Sequence, residues 1–103
     1  MARSTQIISQ TELQARFNRG HFWERAQQGE FRVKYHRGGP ADLSSKDRLP
    51  PGARTRRMIY FRGSKKCAIV HCYVLADGVT VVPGTRPDPK YLLDDVGIVY
   101  TYT

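Results

Sequence analysis

Hydrophobic and polar positions change period along this chain, first helical and then strand-like. Leu13 and Phe17 stand four apart on one face, and Ser9-Gln10-Thr11-Glu12 in front of them is a capping-box pattern. The Ser9 hydroxyl can accept from a backbone N–H while Glu12 reaches back, which predicts a helix over Gln10–Arg19 with Ile8 and Leu13 as a hydrophobic staple. Asn18-Arg19-Gly20 reads as its stop. His21 to Gln28 reads as a second helical segment closed by Gly29, with Phe22, Trp23 and Ala26 to dock it on a sheet. One kinked helix and two separate helices both satisfy this pattern.

At Glu30 the period becomes two. Phe31, Val33 and Tyr35 alternate with Arg32, Lys34 and His36, the pattern of a half-buried strand. From Arg37 to Gly52 the composition turns to Gly, Pro, Ser and Asp, which predicts a long loop. Strands follow over Arg54–Arg62 and Lys66–Ala76, joined by a Gly63-Ser64 turn. Asp77-Gly78 is a two-residue hairpin signal leading into Val79–Val82, and Pro83 ends that run. Asp88 suits an N-cap and Pro89 a first helical turn, so a short helix is expected there. Ile98–Tyr102 reads as a final strand. The expected fold is α+β, a single domain over residues 1–103. An N-terminal helix or helix pair packs on a mostly antiparallel β-meander of four to five strands, with residues 1–7 flexible.

A two-residue turn at Gly63-Ser64 fixes a register for the central hairpin. Arg62 then faces Lys65, Tyr60 faces Cys67, Met58 faces Ile69, Arg56 faces His71 and Arg54 faces Tyr73. The opposite face takes Thr55, Arg57, Ile59, Phe61, Ala68, Val70, Cys72 and Val74, and its apolar centre marks it as the core side. Cys67 and Cys72, five apart in one strand, are expected on opposite faces, reduced and unable to bridge.

Charge gives the other face a meaning. The chain carries a formal net charge of +8, and between Arg48 and Ala76 it has seven basic residues and no acidic one. Such a balance attracts polyanions. No apolar run approaches the length of a membrane span, and the N-terminus lacks the apolar core of a secretory signal, so a cytoplasmic protein without a membrane partner is expected. The same stretch interleaves cations with rings. Arg54, Arg56 and Arg62 supply flat donors suited to phosphate, Lys65, Lys34 and Arg32 add charge, and Tyr73 and Tyr60 offer stacking surfaces. Arg and Lys on a sheet face are often merely solvated, and a strand-centre histidine is commonly a packing residue; the lack of acids favours binding.

His71 also brings chemistry. An imidazole kept neutral beside the Arg56 guanidinium could take a proton from a ribose 2′-hydroxyl while Arg56 steadies the developing phosphorane charge. His36 or Lys34, on the polar face of the earlier strand, could supply the second proton transfer if that strand lies alongside. No metal or other cofactor is required. Asp88, Lys90, Asp94 and Asp95 look more like a helix cap and surface charge than a metal cluster.

The segments Arg57-Met58-Ile59-Tyr60-Phe61-Arg62 and Ala68-Ile69-Val70-His71-Cys72-Tyr73-Val74-Leu75 resemble the central hairpin of the RelE/HigB superfamily of small bacterial toxins. The resemblance covers about a third of the chain. It implies a metal-independent mRNA endoribonuclease, acting free or on the ribosome and neutralised by an acidic antitoxin protein. It would place Arg57 or Arg56, Tyr60 and His71 near the cleavage centre. The chain departs from that pattern after the hairpin, where Asp77-Gly78 replaces a basic stretch and helix. Alternatives from the residues alone are a non-catalytic nucleic-acid-binding module and a basic protein-interaction or inhibitor domain.

Overall fold

The computed structural model describes residues 4–40, 49–83 and 85–102, with the backbone alone at 37–40. Eight elements follow one another among the described residues. They are β1 (Ser4–Ile7), α1 (Gln10–Arg19), α2 (Phe22–Gln27), β2 (Arg32–Pro40), β3 (Arg54–Arg62), β4 (Lys65–Val74), β5 (Asp88–Leu93) and β6 (Ile98–Thr101). The strands form one sheet in the order β1-β6-β5-β4-β3-β2. Every pairing is antiparallel except β1 with β6, which is parallel. The fold is thus α+β and mostly antiparallel, but six strands replace the expected four to five. Among the described residues, no helix is long and apolar enough to cross a membrane.

α1 starts where its cap predicts. Ser9 Oγ accepts from the Glu12 N–H at 3.0 Å. The reciprocal half of the capping box is replaced, since Glu12 turns forward to the Arg16 guanidinium at 3.1 Å. The helical region is two helices. Gly20 ends the first, and a sharp corner through His21, in the left-handed region at φ 54°, starts the second.

Both helices pack on the same side of the sheet. Leu13 and Phe17 meet Met58, Tyr60, Ala68, Val70, Cys72, Val74, Leu92 and Tyr100 in one core. A column of stacked rings runs from helix to sheet, with Phe17–Phe22 centroids at 5.8 Å, Phe22–Phe31 at 5.8 Å and Phe31–Tyr60 at 5.6 Å. Such stacking adds about 0.5–1.5 kcal/mol per pair beyond area burial.

Four sequence expectations need correction. The N-terminal helix pair is preceded by β1, whose exposed residues Ser4–Ile7, expected to be flexible, are held by backbone pairing to β6 rather than by burial. Asp88–Leu93 is a strand, not a helix. The Asp88 carboxylate takes the Lys90 ammonium at 2.7 Å and the Gln10 amide at 3.3 Å, and is thereby occupied with side chains. Pro89 is fully buried opposite Val70, near the strand's start and beyond the β5–β6 pairs, where its missing N–H costs little. The long loop begins later than expected, because β2 continues to Pro40; residues 41–48 lie outside the described set. The Asp77-Gly78 hairpin is reduced to one bridge, Val74 with Val81. Asp77 closes that turn by accepting from the N–H groups of Val79 and Thr80.

Candidate functional site

The central hairpin turns where expected, with Arg62 opposite Lys65. One residue later β4 bulges: Phe61 faces Lys66, but Tyr60 faces Ala68, so Cys67 is the extra residue. The β4 faces beyond the bulge stay as expected while those of β3 reverse. Met58 and Tyr60 are buried, and Cys67 and Cys72 lie in the same core instead of on opposite faces. Thr55, Arg57, Ile59 and Phe61 move to the side without helices.

That side can be read row by row, because directly paired residues share a face. One row is Lys34 (β2), Ile59 (β3), Ile69 (β4) and Tyr91 (β5). Beside it run Arg32, Phe61 and Lys66, with the Lys66 ammonium 4.6 Å over the Tyr91 ring and the Arg32 guanidinium 4.7 Å over Phe61. On the other side is the row His36, Arg57, His71 and Asp88, followed by the pair Thr55 and Tyr73. Strands are about 4.8 Å apart, so four in a row span about 14 Å. Rings, aliphatic side chains and cations therefore alternate in both directions, and no helix among the described residues covers them.

His71 has the most distinctive surroundings on this face. Partial burial lowers its pKa below the ordinary value, the Lys90 and Arg57 cations lower it further, and Asp88 opposes them. Lys90 sits at a bulge in β5, where Ile69 faces Tyr91 but Val70 faces Pro89. Its ammonium donates to Asp88 and to the Tyr102 hydroxyl, and its pKa is raised although burial opposes the rise. The imidazole thus lies next to two cations, both of which disfavour its protonated form.

The expected site residues divide accordingly. His71, His36, Lys34, Arg32 and Tyr73 share the open face. Tyr60, expected in the cleavage centre, is only 1 % exposed beneath the helices, and burial pushes its phenol well above the usual range. Arg56 sits on the helix side with its guanidinium 4.1 Å over Tyr35, and it donates to the Gly78 carbonyl. Arg62 likewise turns to the helix side, to Glu30 at 2.8 Å, and Lys65 is its partner across the turn. Arg54 follows the same alternation as Arg56 and pairs with Val74. Phe61, Lys66, Tyr91 and Asp88 also lie on this face without having been among the expected site residues, and Arg57, expected only as an alternative to Arg56, lies there in its place. Their signal was the alternation Arg57-Ile59-Phe61, legible only once the Cys67 bulge is placed.

Comparison with protein-family models, with curated proteins and with solved structures found no match to this chain.

Proposed function

We propose that this protein binds single-stranded RNA across the helix-free face of its sheet. The observation that carries this reading is the alternation of Arg32, Phe61, Lys66 and Tyr91, in which each ring lies beside a cation. Rings accept unstacked bases at about 1–3 kcal/mol per base, and the neighbouring cations meet the phosphates between them. A duplex keeps its bases stacked inside and would leave the rings unused. The net charge of +8 adds long-range attraction. Fluorescence anisotropy with a labelled oligoribonucleotide tests the reading. Affinity should fall steeply with salt and be lost in Phe61→Ala/Tyr91→Ala; equal affinity in that variant would sink it. Binding that survives only with acidic proteins would point instead to a protein-interaction domain.

A second reading, cleavage of the bound RNA, is favoured by the placing of Arg57 between His36 and His71. In it, the His71 imidazole takes the 2′-hydroxyl proton and the 2′-oxygen attacks phosphorus. The bond from phosphorus to the 5′-oxygen breaks, and His36, about 10 Å away across two strands, gives a proton to that oxygen. Arg57, in the role first given to Arg56, holds the phosphorane charge. The products are a 2′,3′-cyclic phosphate and a 5′-hydroxyl. A ribosome-dependent toxin restrained by an acidic antitoxin, as the RelE/HigB resemblance implies, is one form this activity would take. Incubation with RNA in EDTA, with and without ribosomes, tests it: His71→Ala should abolish cleavage while leaving binding in place.

A further inference from the structure

The two edges of the sheet differ in kind. β2, at one end, carries the devices that keep edges apart: Arg32, Lys34 and His36 along one face, a bulge between Arg37 and Pro40, and the missing N–H of Pro40. Two copies meeting there would set like charges side by side. β1, at the other end, reads Ser4-Thr5-Gln6-Ile7, with no charge, proline or bulge, and all of it is exposed, Ile7 by 68 %. Among the described residues its extensive contacts are all with β6.

The pairing of β1 with β6 decides which backbone groups face outward. The Ile8 N–H donates to the Thr101 carbonyl at 2.8 Å, and successive strand residues turn their N–H and C=O to alternate sides. Ser4 and Gln6 therefore turn to β6, while Thr5 and Ile7 turn away from it, each presenting a donor and an acceptor along the outer edge.

We propose that a second copy of this chain pairs with that edge, β1 antiparallel to β1, about a two-fold axis through Gln6. In this register Thr5 of each copy exchanges both backbone bonds with Ile7 of the other, so every outward group is satisfied at once. Paired residues share a face, so the Thr5 and Ile7 side chains meet on the helix-free side, continuing the row of Ile69, Tyr91 and Thr101. The two Gln6 amides meet on the other side, each able to donate to and accept from its twin. The axis stands perpendicular to the sheet, and the two helix-free faces become one surface. Tyr91 of one copy then lies five strand spacings, about 24 Å, from Tyr91 of the other.

The contact is short, so the dimer is weak. Each copy also carries a net charge of +8, and their repulsion falls as salt screens it. Dimerisation therefore strengthens with salt, the opposite of RNA binding. An RNA strand that reaches both faces holds the copies at high effective concentration, and this consequence alone rests on the RNA reading.

Disulfide trapping in the full chain tests the register. Opposed residues that exchange no backbone bonds lie about 4.5 Å apart at Cα, so Gln6→Cys should give a covalent dimer on mild oxidation. The two copies of Ile7, like those of Thr5, lie about 8 Å apart, so Ile7→Cys and Thr5→Cys should not cross-link. Cys67 and Cys72 are buried and out of reach. Sedimentation velocity of the unaltered chain should show a monomer–dimer equilibrium that moves toward dimer as salt rises. Ile7→Lys, at an exposed position, should weaken it tenfold or more. Equal cross-linking of Ile7→Cys and Gln6→Cys, or a chain monomeric at every concentration and salt, would overturn the proposal. Phe61→Ala/Tyr91→Ala should leave the dimer unchanged, which separates this edge from the RNA face.

Discussion

Arg57 and His71 are direct partners across the β3–β4 ladder, side by side on the open face of the sheet. Partial burial, Lys90 and Arg57 together hold His71 below its ordinary value of 6.5. The folded pKa then lies under the unfolded one, so between the two values the unfolded chain binds more protons and stability rises with pH. The contribution is whole above about pH 6.5 and diminishes as pH falls through the window beneath it. Arg57→Met should move the His71 midpoint upward in an NMR titration. An unchanged midpoint would mean that the guanidinium does not act on the ring.

Replacing Phe61 or Tyr91 by alanine should each weaken RNA binding by about 1–3 kcal/mol, with little change in the salt dependence. Lys66→Ala should instead lower the slope of log affinity against log salt by about 1. Arg56→Ala, on the helix side, should leave that slope unchanged. The reverse result in a salt series would restore the face drawn from an unbulged hairpin.

Tyr60 tests the boundary between core and site. Its hydroxyl is buried without a hydrogen-bond partner among the described residues, a condition that costs about 1–3 kcal/mol. Tyr60→Phe should therefore raise stability by about 1 kcal/mol in denaturant melts and leave RNA binding and any cleavage as they were. Loss of activity in a stable Tyr60→Phe protein would return the phenol to the site.

Two neighbours at the helix corner should respond with opposite signs. His21 holds φ at 54°, so His21→Gly should stabilise the fold by about 1 kcal/mol. Gly20→Ala drives a methyl into the Phe22 ring and should cost about 1–3 kcal/mol. Thermal melts of the two single variants measure both.

Where the chain was legible, the cause was local. The Ser9 cap fixed the start of α1, and the alternation Ala68-Val70-Cys72-Val74 identified the buried face of β4 because those residues stand on one side of any bulge. What stayed hidden depended on partners distant in sequence. Nothing in Lys65-Lys66-Cys67 announces the extra residue, yet it exchanges Arg56 and Tyr60 for Arg57 and Phe61 in the candidate site. Asp88-Pro89 has the local chemistry of a helix start, but its tertiary neighbours, Gln10 on α1 and Val70 on β4, draw it into the sheet. Ser4–Ile7 has no strand alternation, since its order comes from backbone bonds alone.

The parallel seam between β1 and β6 makes the earliest strand wait for the latest. During synthesis, Ser4–Ile7 has no ladder to join until Ile98–Thr101 has emerged, so this edge forms through the largest loop closure in the fold. Until then, the β5 edge that β6 will cover stays open to other chains. Removing Ile98–Thr101 would therefore release Ser4–Ile7 as well, turning the loss of one strand into the loss of two.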